Sequence, residues 1–138
     1  NAQFVCRVYG DGAAIIREKM DFIQSFSELG EYFDMPVKTY SSGMRSRLLF
    51  AISMAFDFDI YLIDEITAVG DARFREKSRQ ALLEKRSRSN YIMVSHNVNE
   101  LIKECDSLLV LGDGGVELFS DTASGLRYYR DMIHVNKV

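Results

Sequence analysis

The sequence has no tryptophan, a single proline, Pro36, and two cysteines. With proline confined to one position, long stretches are free to form regular structure, because proline removes a backbone donor and breaks helices and strands. Cys6 and Cys105 are too few for a disulfide framework and belong to no CxxC or Cys/His cluster. They read as two reduced thiols of a cytosolic protein. No uninterrupted run of about 18 apolar residues exists, so no segment reads as a membrane-spanning helix. Basic charge is not in excess either: 17 Lys and Arg against 20 Asp and Glu give a net charge of −3. That balance argues against nucleic-acid binding by bulk electrostatics. The N-terminus carries neither an initiator Met nor the basic-then-apolar pattern of a secretion signal, so the expectation is a start produced by a cut. None of the nine glycines is followed by lysine, so the phosphate-holding GxxxxGK loop is missing from these residues.

What is present reads as a packed globular chain. A 47% hydrophobic and 27% charged composition, over the length of one ordinary domain, excludes wholesale disorder, collagen and a coiled-coil rod. Residues 1 to about 56 read as helical, and residues 57–138 alternate strand with helix. Residues 2–9 are a short apolar-rich run closed by Gly10-Asp11-Gly12. From Ala13 a helix carries Ile15, Ile16, Phe22, Ile23 and Phe26 as its apolar residues and stops near Gly30, a natural left-handed C-cap. Beyond Pro36, Thr39-Tyr40-Ser41-Ser42-Gly43 leads into a helix to about Phe56. Its apolar positions are Met44, Leu48, Ile52 and Ala55, while Arg45 and Arg47 point elsewhere.

Residues 60–63 read as a buried parallel strand and residues 91–94 as a second apolar strand. Between them, residues 72–86 form a strongly charged helix whose face is expected to be solvated, with i,i+4 pairing. A helix over 98–105 and a strand over 107–111 follow. Asp113-Gly114-Gly115 is a hairpin signal into residues 116–119, and residues 122–133 close as a helix. The expected class is α/β with a mainly parallel sheet and flanking helices.

Three segments could carry chemistry. In Ile60-Tyr61-Leu62-Ile63-Asp64-Glu65, an apolar strand ends in two adjacent carboxylates at the sheet edge where α/β proteins bind ligands. A phosphoryl-transfer site uses such a pair, one carboxylate to hold Mg²⁺ and the other to orient or deprotonate water. The plain alternative is a strand emerging into solvent. In Tyr40-Ser41-Ser42-Gly43-Met44, hydroxyls and a glycine precede a long helix. They form either an ordinary N-cap or an anion site, since free amides and the positive helix end converge there. His96 follows the second apolar strand and is either a structural histidine or part of the same sheet edge.

In this order and spacing, the three segments resemble the nucleotide-binding domain of an ABC (ATP-binding cassette) ATPase. Ser41-Ser42-Gly43-Met44 stands where that family carries its LSGGQ signature, with Tyr40 in the leucine position. Residues 60–64 match the Walker B strand and Glu65 the catalytic glutamate. Ala68-Val69-Gly70-Asp71 matches the D-loop, and His96 the switch histidine of the H-loop. Ser42 replaces the first signature glycine, Met44 the glutamine, Ile66 a proline and Gly70 the D-loop leucine. These departures are familiar in the subgroup that exports capsular polysaccharide, with O-antigen and teichoic-acid exporters as close relatives. Phe4-Val5-Cys6-Arg7-Val8-Tyr9-Gly10 matches the start of the helical subdomain, so the likeness covers nearly the whole chain.

The resemblance implies a partial P-loop NTPase fold, with residues 1–56 in the helical signature subdomain and 57–138 in the RecA-like α/β core. It implies ATP and Mg²⁺ as cofactors. Ser41, Ser42, Gly43 and Met44 would meet the nucleotide held by a second nucleotide-binding domain in a homodimer, and Asp71 would join that interface. Asp64 would support Mg²⁺, Glu65 would polarise the attacking water, and His96 would bind the γ-phosphate. The implied partners are that second domain and a transmembrane permease, with no nucleic acid, at the cytoplasmic face of the inner membrane.

The Walker A loop, the adenine-stacking aromatic and the Q-loop would precede Asn1. The expectation is therefore the C-terminal part of a polysaccharide-exporting ATPase, inactive by itself, with exposed strand edges, self-association or a rearranged sheet. Two competing readings are a non-transport ABC-type ATPase of DNA repair or chromosome organisation, and a non-catalytic interaction module. The first lacks a heptad run or basic patch in its support. Retention of Asp64-Glu65 and His96 speaks against the second.

Overall fold

The computed structural model describes residues 1–64, 70–112 and 115–135. The described parts of residues 1–61 and 66–91 form one compact unit, and those of 62–65 and 92–138 form another.

The first unit is helical. Helices α1 (Ala2–Val8) and α2 (Ala13–Ser27) are joined through Gly10, whose φ of 82° is open to glycine without steric cost. Lys19 closes the same turn by donating to the Asp11 carboxylate at 2.7 Å. The end of α2 differs from the expectation at Gly30: the left-handed C-cap is Glu28, with φ 54°. A side chain in that conformation costs roughly 1–2 kcal/mol. The position is held because Lys77 bonds the Glu28 carboxylate at 2.8 Å and the Phe26 carbonyl at 3.0 Å.

Two 3₁₀ turns, Gly30–Asp34 and Val37–Thr39, lead to the buried Tyr40. Its hydroxyl donates to the carbonyls of Tyr32 at 2.6 Å and Phe33 at 3.1 Å. This fixes the chain where helix α3 (Ser42–Met54) begins. On α3, Leu48, Ala51, Ile52 and Met54 are buried. The rings of Phe26, Phe50 and Phe74 then join α2, α3 and helix α4 (Ala72–Arg86) into one aromatic core, with centroids 5.8–6.3 Å apart.

Helix α4 is less solvated than its charge suggests. Phe74 and Ser78 are fully buried, so neighbouring lysines run alongside other elements instead of into solvent. Lys85 donates to the Phe56 carbonyl at 3.0 Å and to Asp57 at 2.6 Å, as Lys77 does to Phe26 and Glu28. On the exposed side Glu76 pairs with Arg79 at i,i+3 and accepts from Gln80 at i,i+4. The charged face is otherwise exposed as expected, at Arg73, Arg75, Glu76, Arg79 and Glu84, while the two lysines tie α4 to residues 28 to 51 positions distant.

Strands β1 (Ile60–Asp64) and β2 (Asn90–Val94) pair in parallel, with the Asn90 amide donating to the Asp59 carbonyl at 3.0 Å. Tyr61 and Ile63 are buried, whereas Leu62 on the opposite face is 79% exposed, and Ile60, Ile92 and Val94 are exposed as well. In the second unit, strands β3 (Leu108–Gly112) and β4 (Gly115–Phe119) form an antiparallel hairpin, with Leu109 opposite Leu118 and Leu111 opposite Val116. Of the hairpin signal, Asp113 and Gly114 lie outside the described residues. Helix α5 (Val98–Glu104) precedes the hairpin, and helix α6 (Thr122–Val135) packs on it. That packing is close: a Cβ on Gly125 would stand 2.9 Å from the Leu108 Cβ, so only glycine fits there. Among the described residues, the strands therefore make two two-stranded ladders, a parallel pair crossed over through α4 and a hairpin.

Candidate functional site

The N-terminus of α3 opens into a cleft of about 580 Å³, whose lining includes Ser41, Ser42, Gly43, Met44, Arg47 and Asp71. Ser41 is the N-cap: its backbone is extended, and its Oγ accepts from the Met44 amide at 3.2 Å. The first amides of a helix have no intrahelical acceptor, so those of Ser42 and Gly43 are available to a ligand. Together with the positive helix end, they suit an anion. Gly43 is not demanded by packing. A Cβ there would meet only the Ser41 Oγ, at 3.9 Å, so its missing side chain leaves room on the outside of the helix.

Asp71 stands across the same cleft and begins α4. Its Oδ1 accepts from the Phe74 amide at 2.9 Å, and its Oδ2 pairs with Arg47 Nη2 at 2.6 Å. The Phe74 amide, first, and the Arg47 charge hold this carboxyl below the usual aspartate range. Lys77, first by its hydrogen bond, lowers the Glu28 carboxyl in the same way, with Arg47 Nη1 3.9 Å from that carboxylate. Burial, with the nearby Asp34 charge, raises the Tyr40 phenol.

Gly70 explains how Arg47 reaches Asp71. Its φ is 73°, and a Cβ would lie 3.1 Å from the Phe74 Cβ and 3.2 Å from Arg47 Nε. The family's leucine at this position would occupy the space that the guanidinium fills.

The other sequence-identified residues lie on β1 and β2. Asp64 is the exposed last residue of β1. His96, also exposed, follows β2 by two positions, so both lie at the C-terminal end of the parallel pair. The turn around His96 is fixed locally: Ser95 Oγ donates to Glu100 at 2.8 Å and accepts from the Asn97 amide at 3.0 Å. Asn97 in turn caps α5. Glu65 lies outside the described residues. The fold thus gathers Ser41, Ser42, Gly43, Met44 and Asp71 around one cleft, and sets Asp64 and His96 at one strand edge.

Sequence reasoning passed over Arg47. The available signal was electrostatic, since a cation close to the positive end of a helix calls for an anionic partner.

Polysialic acid transport ATP-binding protein KpsT from Escherichia coli is 48% identical to the chain over 131 residues, which cover 94% of this chain and 58% of KpsT. Over nearly its whole length, the chain is similar to ABC-type export ATP-binding proteins. Capsule polysaccharide export ATP-binding protein CtrD from Neisseria meningitidis serogroup B is 43% identical over 132 residues, covering 96% of this chain and 60% of CtrD. The chain therefore spans more than half, but less than two thirds, of the length of these relatives. The solved structure of cbiO1 from Clostridium perfringens, part of the ABC transporter complex cbiONQ, matches 99% of the chain and 55% of its own length. Its TM-score is 0.62 at 20% identity, which shows a shared fold. No family model matches the chain. Ser42 and Met44 line the cleft at the start of α3, and Gly70 is packed against Phe74 and Arg47. No helix among the described residues is long and apolar enough to cross a membrane.

Proposed function

We propose that this chain serves in the ATP-binding subunit of an ABC exporter, coupling ATP hydrolysis to the passage of a polysaccharide across the inner membrane. The observation that carries this reading is the α3 N-terminal cleft, where the available amides of Ser42 and Gly43 meet an open approach beside Asp71. The substrate class is taken from the likeness to KpsT and CtrD, whose names specify polysialic acid transport and capsule polysaccharide export. On this reading residues 1–56 serve as the signature subdomain and 57–138 as part of the RecA-like core. The subunit pairs with a second copy and with a membrane-spanning permease on the cytoplasmic face.

The residues fit the implied cofactors. Mg²⁺ accepts one carboxylate with water and phosphate oxygens, and the exposed Asp64 at the end of β1 supplies such a ligand. ATP, when bound with Mg²⁺, supplies the phosphoryl group that is transferred to water. Ser42 and Gly43 amides and the Ser41 and Ser42 hydroxyls would donate to phosphate oxygens, stabilising charge without reorganising water. Met44 belongs to the same turn and keeps the Ser41 cap in place. Glu65 would take a proton from the attacking water, His96 would hold the transferred group, and Asp71 would meet the second copy.

The test is hydrolysis by the native protein reconstituted with its permease. Glu65→Gln should abolish turnover, and Gly43→Asp should do the same by filling and charging the cleft. Turnover that survives both substitutions would remove this reading.

A further inference from the structure

Arg47 sits on α3, yet its charged end belongs to the start of α4. Its guanidinium is 2.6 Å from the Asp71 carboxylate, 3.9 Å from Glu28, and 4.9 Å over the Phe74 ring. The Asp71 carboxylate is divided between two tasks, one oxygen capping α4 and the other meeting Arg47. Gly70 leaves the room for that approach, since any Cβ would crowd both Arg47 and Phe74. A carboxylate at the rim of the cleft repels any anion drawn to the same helix end unless a cation answers it. A lone cation close to that helix end would itself be adverse. The pair answers both, and the guanidinium is fixed in direction by lying over Phe74 with Glu28 on its other side.

We propose that Arg47 is a positioning residue for nucleotide turnover: it holds Asp71 at the rim of the α3 N-terminal cleft, so that signature and D-loop are presented together. This deepens the ATPase reading and rests on it. Arg47 acts through Asp71 and does not itself touch the phosphate. Its loss should therefore lower the rate of turnover more than the affinity for nucleotide. Gly70 has a supporting part, because it admits the guanidinium.

The experiment uses the native protein with its permease, carrying Arg47→Ala, Arg47→Lys, Asp71→Asn, or Arg47→Ala with Asp71→Asn. Arg47→Ala is expected to lower kcat about tenfold while KM for ATP stays within about twofold. Arg47→Lys, which keeps the charge but not the planar group over Phe74, should recover part of the rate. In the Asp71→Asn background, Arg47→Ala should cost nothing further. A second readout needs no turnover: carboxyl NMR titration should place the Asp71 pKa higher in Arg47→Ala than in the unsubstituted protein. Losses that add in the double variant, a rise in KM alone, or an Asp71 titration unmoved by Arg47→Ala would each overturn the proposal. If Arg47→Ala fails to fold, the Arg47→Lys rate and the Asp71 titration in that variant decide it, an unchanged rate and titration counting against. Absence of Glu65-dependent hydrolysis in the unsubstituted protein would instead sink the ATPase reading, and Arg47's part in turnover with it.

Discussion

Helices α3 and α4 both begin at the same cleft, and both begin with a side-chain oxygen on the amide three residues ahead. Ser41 Oγ takes the Met44 amide at 3.2 Å, and Asp71 Oδ1 takes the Phe74 amide at 2.9 Å. Beyond the caps they part. Next to Ser41, Gly43 has open space where its Cβ would be; next to Asp71, Gly70 is hemmed in by Phe74 and Arg47. Ser41 is a neutral hydroxyl, whereas the Asp71 carboxylate is engaged by Arg47 from another helix. One helix start is left receptive, and the other is locked. The same local capping chemistry borders an open cleft in the first case and a tertiary joint in the second.

The sharpest way to break this contrast is to give both glycines a methyl group. Gly70→Ala should destabilise the protein by about 2–3 kcal/mol, from a left-handed backbone plus crowding of packed atoms. Gly43→Ala should be neutral or stabilising by up to about 1 kcal/mol, because alanine is the better helix former, while ATP hydrolysis falls. Urea denaturation and a hydrolysis assay on the two variants read both effects. Equal stability losses would erase the distinction.

The caps offer a smaller effect. Ser41→Ala should cost about 1 kcal/mol, the usual loss of an N-cap. Asp71→Ala should cost more, since it removes a cap and also leaves Arg47 without its 2.6 Å partner. A thermal-unfolding series ranks them, and a larger loss at Ser41 would count against the locked joint.

Acid should expose the same asymmetry most gently. The Glu28 carboxyl is lowered chiefly by its hydrogen bond from Lys77, and Asp71 by the Phe74 amide with Arg47. A carboxyl lowered in the folded state contributes stability that is fully present above its unfolded pKa. That contribution is lost as pH falls through the folded value. Stability should therefore decline as pH drops below about 4, where unperturbed carboxylates titrate. Removing both cations, with Lys77→Met and Arg47→Ala, should flatten that part of the curve. An unchanged acid slope would show that these ion pairs contribute nothing, as many surface pairs do.

Much of the local structure was legible in sequence. Alternation of apolar runs with charged helices located β1, α4, β2 and α6 to within a residue or two, because burial periodicity and capping residues act over a few positions. The turn that opens α3 was legible for the same reason, with Ser41 as the cap. Three features were not. The end of α2 falls at Glu28 because Lys77, 49 residues away, secures its carboxylate. The lysines of α4 looked solvated because nothing local marks the helix that they lie against. Arg47 looked incidental for the same reason, its partner lying 24 residues on.

By itself, the sequence determined the order of the elements, the Ser41 cap that starts α3, and the motif series that resembles an ABC ATPase. Each depends on neighbours within a turn or a strand, where bond geometry and side-chain pattern suffice. Only the tertiary structure decided that Gly43 is open and Gly70 closed, and that Asp71 is held by Arg47. These outcomes depend on which distant atoms fill the space beside a Cα and which distant charge answers a carboxylate. Steric exclusion and ion pairing act through space, so the fold had to bring α3 and α4 together before either could take effect.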